Sequence, residues 1–479
     1  MIRALLSLLA LLALATPAMA QTSAAFLRQE AARPDYIAHD EAEILIRDVT
    51  VIDGTGAPAR PHMSVLIRDG RIAAVGPVGE VSGSASATVI EGAGRTLIPG
   101  LVLMHEHMFY PTGESNYGEM SHSFPRLYLA GGVTTLRTAG SMSPYADLNL
   151  RNAIAAGAIP GPDMDITAPY LEGPGLPIAQ VNALEGADDA ERMVRYWAAE
   201  GASSYKVYMN IRRDELDRII ELAHANGQRV TGHLCSITYR EAAEAGIDNL
   251  EHGFFAATDF AENHEPETCP GQTQSILSLL RMDPATPEAQ ALIQLLVEHD
   301  VALTSTLTII ETFTPGRPRA PDAALDLLTP PVREQYESTW TQIQPGVAGP
   351  MAQLLAREMA MERAFVAAGG TLLAGTDPTG YGGVIPGFSS WRQLQLLLEA
   401  GFSLEEVVRI TTLNGAEYLG RAAEVGSIEI GKRADLVLLD GDAATGPLAL
   451  DGAEIVFKAG VGYDPQVIID SLEGAVGLY

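Results

Sequence analysis

The strongest constraint on the fold is a regular alternation of short apolar segments with amphipathic helices over about residues 96–415. Segments 229–233, 248–252, 301–305 and 371–375 are predicted strands, and 214–226 is a predicted helix followed by a glycine. A long βα succession of this kind predicts a (β/α)8 TIM barrel, whose sites lie at the carboxyl ends of its strands. A doubly wound open sheet is the alternative, although the chain lacks the glycine fingerprint of a dinucleotide site.

Both ends of the chain have a different, β-rich pattern. Near the start, apolar segments 64–68 and 71–75 flank an Asp-Gly pair, which predicts a tight hairpin. Near the end, 434–441 and 454–460 have the same alternating character. We therefore predict a small composite β-sandwich domain built from 21–98 and 416–479, with the barrel spanning 99–415.

The first twenty residues carry one charge, Arg3, ahead of the apolar run 4–15 and the small-residue motif Ala18-Met19-Ala20. This pattern predicts a cleaved signal peptide over 1–20 and a periplasmic or secreted protein, with an uncleaved anchor as the alternative. No later stretch is predicted to span a membrane. We expect Cys235 and Cys269 to be free thiols, because two cysteines do not make a disulfide framework. A disulfide between them is the alternative.

The charge balance limits the partners of the protein. The chain of 479 residues has 31 Lys and Arg against 60 Asp and Glu, a formal charge of −29. Because nucleic-acid binding requires clustered basic residues, nucleic acid is a poor candidate and a small-molecule substrate is expected. A homo-oligomer remains open.

Several residues of metal-ligand type stand where the predicted strands end. His105 and His107 are two apart after an apolar strand, so both can face one cation. His233, His252 and Asp377 each close a later strand, and alternation within 204–208 turns Lys206 inward if its neighbours face the helices. Each of these residues alone could be structural: a core histidine, a helix-capping aspartate or a surface lysine.

This series resembles the metal ligands of the amidohydrolase superfamily, in the same chain order: His105, His107, Lys206, His233, His252 and Asp377. Segments 96–101, 132–137, 414–416 and 426–436 are similar to the branch that contains imidazolonepropionase-like proteins and exported Xaa-Pro dipeptidases. The resemblance extends over nearly the whole chain after residue 20. It implies the barrel, the composite β domain and a hydrolase active on amide bonds.

The resemblance also implies a site for two divalent ions. His105, His107 and Asp377 would hold one ion, while His233 and His252 would hold the other. Lys206, carboxylated by CO2 to a carbamate, would bridge them together with the attacking hydroxide, and Asp377 would act as general base and acid. Imidazole and carboxylate ligands suit Zn²⁺ best.

Four further residues are candidate substrate contacts: Arg137, Tyr208, Tyr239 and His122. Relatives commonly carry an aspartate where this chain has Thr138. Arg137 could still bind a substrate carboxylate, but a role in bridging carboxylates within the barrel is favoured. The tyrosines and His122 could be packing or rim residues. The expected substrate is a dipeptide or an N-acyl amino acid; the alternatives are a lactone or other ester, or a noncatalytic binder on the same fold. Loops 254–284 and 314–331 are predicted to shape substrate access.

Overall fold

The computed structural model describes residues 35–113, 116–262 and 264–478. The predicted signal peptide, 1–20, lies outside the described residues, as does the first part of the predicted β domain, 21–34. Among the described helices, none has the length and apolar content required to cross a lipid bilayer.

The secondary structure begins with strands and continues with the alternation that the sequence predicts. The first strands are β1 (Ile37–His39), β2 (Glu43–Val51), β3 (Arg60–Arg68), β4 (Arg71–Pro77), β5 (Thr88–Glu91) and β6 (Arg95–Pro99). The middle of the chain contains β7 (Leu101–Glu106), β8 (Phe109–Gly113), β9 (Asn116–Glu119), α1 (Phe124–Ala130), β10 (Val133–Thr138), α2 (Pro144–Ala155), β11 (Asp163–Asp165), α3 (Ala187–Glu200), β12 (Ser204–Val207), α4 (Arg213–Ala225), β13 (Arg229–Gly232), α5 (Tyr239–Ala245), β14 (Asn249–Glu251), α6 (Gln272–Arg281), α7 (Pro287–Glu298), β15 (Ala302–Ser305), α8 (Leu307–Thr312), α9 (Asp322–Leu325), α10 (Pro330–Ile343), two 3-10 turns (Gln344–Ala348 and Pro350–Gln353), α11 (Leu354–Ala367), β16 (Leu372–Ala374), α12 (Phe388–Glu399), α13 (Leu404–Thr411) and α14 (Leu413–Tyr418). The chain ends with β17 (Leu436–Asp440), β18 (Ile455–Lys458), β19 (Val461–Tyr463) and α15 (Pro465–Asp470).

Strands from both ends of the chain form one sheet of the β domain, in the order β1-β19-β18-β17-β6-β2-β3-β4, with β5 beside β2. The two ends meet at β6 and β17, which run antiparallel with Ile98 opposite Val437. The predicted Asp69-Gly70 hairpin joins β3 and β4, and both turn residues have positive φ angles, 49° and 75°. Buried residues of this sheet, such as Ile46 and Phe457, form a hydrophobic cluster of their own.

The barrel consists of parallel strands β7 and β10 to β16. Ladders join β7, β10 and β11, and a second set joins β12 through β16. Isolated parallel bridges, Thr167 to Ser204 and Leu171 to Val207, connect the two sets on one side. On the other side, the amides of Thr376 and Asp377 donate to the carbonyl of His105 at 3.2 and 3.1 Å. The barrel is therefore closed, which confirms the predicted (β/α)8 fold and excludes the open doubly wound sheet.

A half-buried charge cluster links the barrel to the segments that follow it. Asp163 in β11 accepts hydrogen bonds from Arg421 and Arg433, each at 2.7 Å, and from Lys458 in β18. Burial alone would raise the pKa of Asp163, but the three cations outweigh it and hold that pKa well below its usual range. This carboxylate therefore ties a barrel strand to the β domain through charge-assisted bonds.

The expectation of free thiols is wrong, because Cys235 and Cys269 are joined by a disulfide. Cys235 follows β13 closely, and Cys269 lies three positions before α6. The predicted 254–284 loop is therefore not a plain loop: it contains α6, and the disulfide fastens the start of that helix to the carboxyl end of a barrel strand. The sequence could not show this, since the pairing depends on how the insertion folds back over the barrel.

Replacing both cysteines with alanine is expected to lower the free energy of unfolding by about 4 kcal/mol, since the bond closes a loop with a sequence separation of 34. Urea denaturation of the oxidised protein and of the variant measures the difference. Ser275→Ala, which changes a neighbour of Cys235 without removing the bond, is the control. Equal unfolding midpoints for the oxidised protein and the double variant would contradict the prediction.

Candidate metal centre

The carboxyl ends of five barrel strands bring six polar side chains to one rim. The first two come from the end of β7, one from within β12, two directly follow β13 and β14, and the last lies three positions after β16: His105, His107, Lys206, His233, His252 and Asp377. Tyr205, next to Lys206, faces outward and donates to the carbonyl of Val194 in α3. The alternation of the strand then turns Lys206 inward, where it is 1% exposed.

These side chains converge on a single point. The ring of His252 lies 4.5 Å from the rings of both His105 and His233. Asp377 Oδ1 lies 3.3 Å from His107 Nε2 and 3.7 Å from His105 Nε2. Lys206 Nζ lies 3.5 Å from His105 Nε2. The structure therefore brings together all six predicted ligands, and ligand atoms of His105, His252 and Asp377 lie within 4.8 Å of one another.

Three of the imidazoles are held through one ring nitrogen. His105 Nδ1 lies 2.7 Å from Glu251 Oε2, His107 Nδ1 lies 3.3 Å from the carbonyl of Gly140, and His252 Nδ1 lies 2.8 Å from Thr306 Oγ1. A partner that accepts a proton at Nδ1 leaves the lone pair on Nε2, so that nitrogen can bind a cation. This arrangement is typical of metal-binding histidines and fits the ions that the fold family implies.

Burial sets the protonation of the cluster. It lowers the pKa of His105 to about 4 and that of His233 to about 3, with further lowering from the nearby charge of Lys206. Both rings are therefore neutral near pH 7, the form that ligates metal. Burial also lowers the pKa of Lys206 to about 8. The neutral amine, which is the form that reacts with CO2, is therefore more accessible near neutral pH than for an ordinary lysine.

Two of the predicted ligands have a left-handed backbone. His252 and Asp377 have φ angles of 65° and 54° just after their strands. This conformation is uncommon for residues other than glycine and costs about 1 kcal/mol or more. The hydrogen bond from the amide of Asp377 to the carbonyl of His105 stabilises the turn. The left-handed backbone directs both side chains across the rim, toward the other ligands.

Below the rim, a buried ion pair supports the cluster. The carboxylate of Glu251 accepts from Arg137 Nη2 at 2.7 Å and also contacts His105 Nδ1. Arg137 donates in addition to Asn249 Oδ1 and to the carbonyl of Met104. Burial would raise the pKa of Glu251, but the charge of Arg137 outweighs it and keeps this pKa well below its usual range. Glu251 therefore stays ionised and fixes the ring of His105.

Three of the four candidate substrate contacts do not line the cavity. Arg137 is 1% exposed and donates to Glu251 and Asn249 inside the barrel, in line with the internal bridging role that is favoured over substrate binding. Tyr239 is fully buried and donates to the carbonyls of Glu251 and Gly253. His122 lies on the surface beside Arg126, away from the cavity. Tyr208 does line the cavity, with its ring 4.9 Å from that of His233.

The six side chains lie at the base of a cavity of about 640 Å³. Its upper walls include Phe255 and Ile276 from the 254–284 insertion, and Phe313 and Pro315 from the following long connection. The prediction that these insertions shape access to the site agrees with their position. Cys235 also lines the cavity, so the disulfide lies at its wall.

The sequence did not point to several residues of this site. Glu251 and Thr306 orient the histidines, and Tyr170, Tyr117 and Phe109 line the cavity beside them. The position of Glu251 next to His252 in a buried strand was the one available signal. The aromatic residues lie in connections whose path over the barrel no local pattern predicts.

Comparison with known proteins agrees with this geometry. Residues 96–469 match the model of the Amidohydrolase family. Imidazolonepropionase from Geobacillus sp. (strain WCH70) is 24% identical over 397 residues, which cover 79% of this chain and 83% of that protein. A solved structure of a Xaa-Pro dipeptidase with bound methionine in the active site has a TM-score of 0.66 at 20% identity, covering 88% of this chain and 100% of that one.

Some similarities are local. Imidazolonepropionase from Shouchella clausii (strain KSM-K16) is 37% identical over 94 residues, which cover 19% of this chain and 20% of that protein. The aligned part of this chain thus spans about a fifth of that relative's length. The family model, in contrast, matches well over half of the chain, from the last strand of the N-terminal β segment to the final helix. The chain belongs to the amidohydrolase family.

Proposed function

We propose that the protein is a metal-dependent hydrolase that cleaves an amide or related C–N bond of a small molecule. The observation that carries this proposal is the convergence of four imidazoles, one carboxylate and a buried lysine at the barrel rim, at the base of a cavity. Membership of the amidohydrolase family supports it. The predicted signal peptide supports an exported, periplasmic or secreted enzyme.

The ligands divide into two sets. His105, His107 and Asp377 would hold one divalent ion, while His233 and His252 would hold a second, with carboxylated Lys206 between them. Two such ions would polarise the scissile carbonyl and lower the pKa of the attacking water. Zn²⁺ suits these imidazole and carboxylate ligands best.

The side chains of the cluster then move the protons. Asp377 accepts a proton as the water oxygen adds to the carbonyl carbon, and returns it to the nitrogen as the C–N bond breaks. One water and one amide thus give a carboxylic acid and an amine. Burial keeps the pKa of Tyr208 well above its usual range, so the phenol retains its proton and can donate a hydrogen bond to the substrate oxygen.

The purified protein is expected to contain close to two divalent ions per chain and to lose amide hydrolysis when a chelator removes them. Elemental analysis measures the ions, and addition of Zn²⁺ should restore the activity. A screen of amides alongside lactones tests the bond, because the same site could attack an ester carbonyl. Carefully handled protein with almost no metal would contradict the proposal, and hydrolysis of lactones alone would replace the amide by an ester.

A further inference from the structure

One wall of the cavity is aromatic. The ring of Phe109 lies 4.4 Å from that of His107 and 5.4 Å from that of Tyr117. The rings of Tyr170 and Tyr208 meet edge to face at 4.8 Å and continue the wall toward His233. Such a surface favours planar or bulky apolar groups, since aromatic rings bury large areas and pack edge to face.

A second wall, contributed by the connections after β14 and β15, is mostly aliphatic, with Phe255 and Phe313 beside the aliphatic side chains. Ile276 comes from α6, Ile309 and Ile310 from α8, and Leu354 from the start of α11. Because these side chains come from three separate helices, the wall is a property of the assembled fold. The aromatic wall comes from the connections after β7, β11 and β12, so apolar surface reaches the cluster from two different parts of the barrel rim. The cavity volume of about 640 Å³ is enough for a drug-sized molecule.

Ionisable cationic or acidic groups are confined to the base of this cavity. Among the described residues that line it, Lys, Arg, His, Asp and Glu side chains occur only in the cluster itself. The arginine below the cluster, Arg137, is already paired with Glu251. A substrate carboxylate held against either wall would therefore lose water without gaining a counter-charge, and burial of an unpaired charge is unfavourable by several kcal/mol.

We propose that the substrate is a neutral amide with apolar groups on both sides of the scissile bond and no free carboxylate. This inference rests on the proposed hydrolase function and narrows it, away from dipeptides and N-acyl amino acids. Hydrolysis converts the neutral amide and water into a carboxylic acid and an amine, which ionise in solution. Both products suit the apolar walls less well than the substrate does, which favours their release.

A matched set of three amides tests the inference on the Zn²⁺-loaded full chain. N-phenylacetyl-phenethylamine is neutral, N-phenylacetyl-phenylalanine adds only a carboxylate, and N-phenylacetyl-phenylalaninamide adds a neutral group of similar size. We expect kcat/KM for the phenethylamine compound to exceed that of the acid by at least about tenfold, with the carboxamide close to the neutral compound. Equal or faster hydrolysis of the acid would overturn the inference while leaving the hydrolase function intact.

A variant separates charge from size. Ile276→Arg places a cation on the half-buried part of the aliphatic wall and is expected to raise kcat/KM for the acid relative to the neutral amide, whereas Ile276→Gln should not. If the ratio of kcat/KM for the acid to kcat/KM for the neutral amide were the same in both variants, the missing counter-charge would not explain the preference.

A binding measurement keeps this test independent of turnover. Calorimetry on the metal-free protein should show at least about tenfold tighter binding of the phenethylamine compound than of the acid. If no amide is hydrolysed by the loaded protein, the proposed function fails, and the calorimetry still decides whether the cavity rejects carboxylates. Equal or tighter binding of the acid would overturn the inference.

Discussion

Lys206→Ala is expected to remove one of the two metal ions and to lower kcat/KM by at least about a thousandfold, or about 4 kcal/mol of transition-state stabilisation. The reason is geometric. Lys206 Nζ lies 3.5 Å from His105 Nε2 inside the cluster, and after carboxylation it would supply an anionic ligand between the two sets of histidines. Without the carbamate, the ion at His233 and His252 would lose the anionic ligand that it would share with the ion of the first set. Elemental analysis together with steady-state kinetics measures both effects.

Two additions sharpen this test. Short carboxylic acids such as acetate should partly restore both metal content and activity, because they can occupy the space of the missing carbamate. Lys432→Ala changes a lysine of the segment leading into the β domain, paired with Glu429, and should leave metal content and kcat unchanged. Full activity of the Lys206 variant with two bound ions would remove the carbamate from the proposal.

Asp377→Asn is expected to lower kcat by about a thousandfold, because the amide cannot accept the proton of the attacking water. Its φ of 54° remains accessible to asparagine, so the turn should persist. Retained circular dichroism with a reduced kcat distinguishes a chemical loss from unfolding. The ion bound by His105 and His107 is expected to be held more weakly, since one anionic ligand is lost.

Asp300→Asn is the matched control for this substitution. Asp300 is exposed and also has a left-handed backbone, with φ of 55°. It lies between the end of α7 and the start of β15, whereas the cluster ligands lie at the carboxyl ends of the strands. It should retain full activity. If Asp377→Asn kept wild-type kcat over the whole pH range, Asp377 would not be the proton acceptor.

Much of the candidate site could be predicted from local patterns. His105 and His107 are two apart at a strand end, and strand alternation turns Lys206 inward. Because parallel strands of a barrel all end at the same rim, residues that close separate strands must meet there, and His233, His252 and Asp377 do so. Sequence periodicity predicts positions within elements, and the barrel closure then determines which positions are neighbours.

The contacts between elements could not be predicted in this way. Arg137 and Tyr239 have the residue types of a substrate site, yet each faces the buried layer beneath the rim, where a carboxylate or backbone carbonyls occupy it. The disulfide between Cys235 and Cys269 depends on the path of an insertion, and so does the aliphatic wall.

The βα order, the β-rich ends and the six residues of ligand type at the strand ends follow from local sequence patterns. The three-dimensional packing sets which polar groups are already paired and which loops cover the rim, and therefore that the walls above the cluster are apolar and uncharged. The physical reason is that periodicity reports the burial of each element separately, whereas charge pairing and cavity shape depend on side chains far apart in the chain.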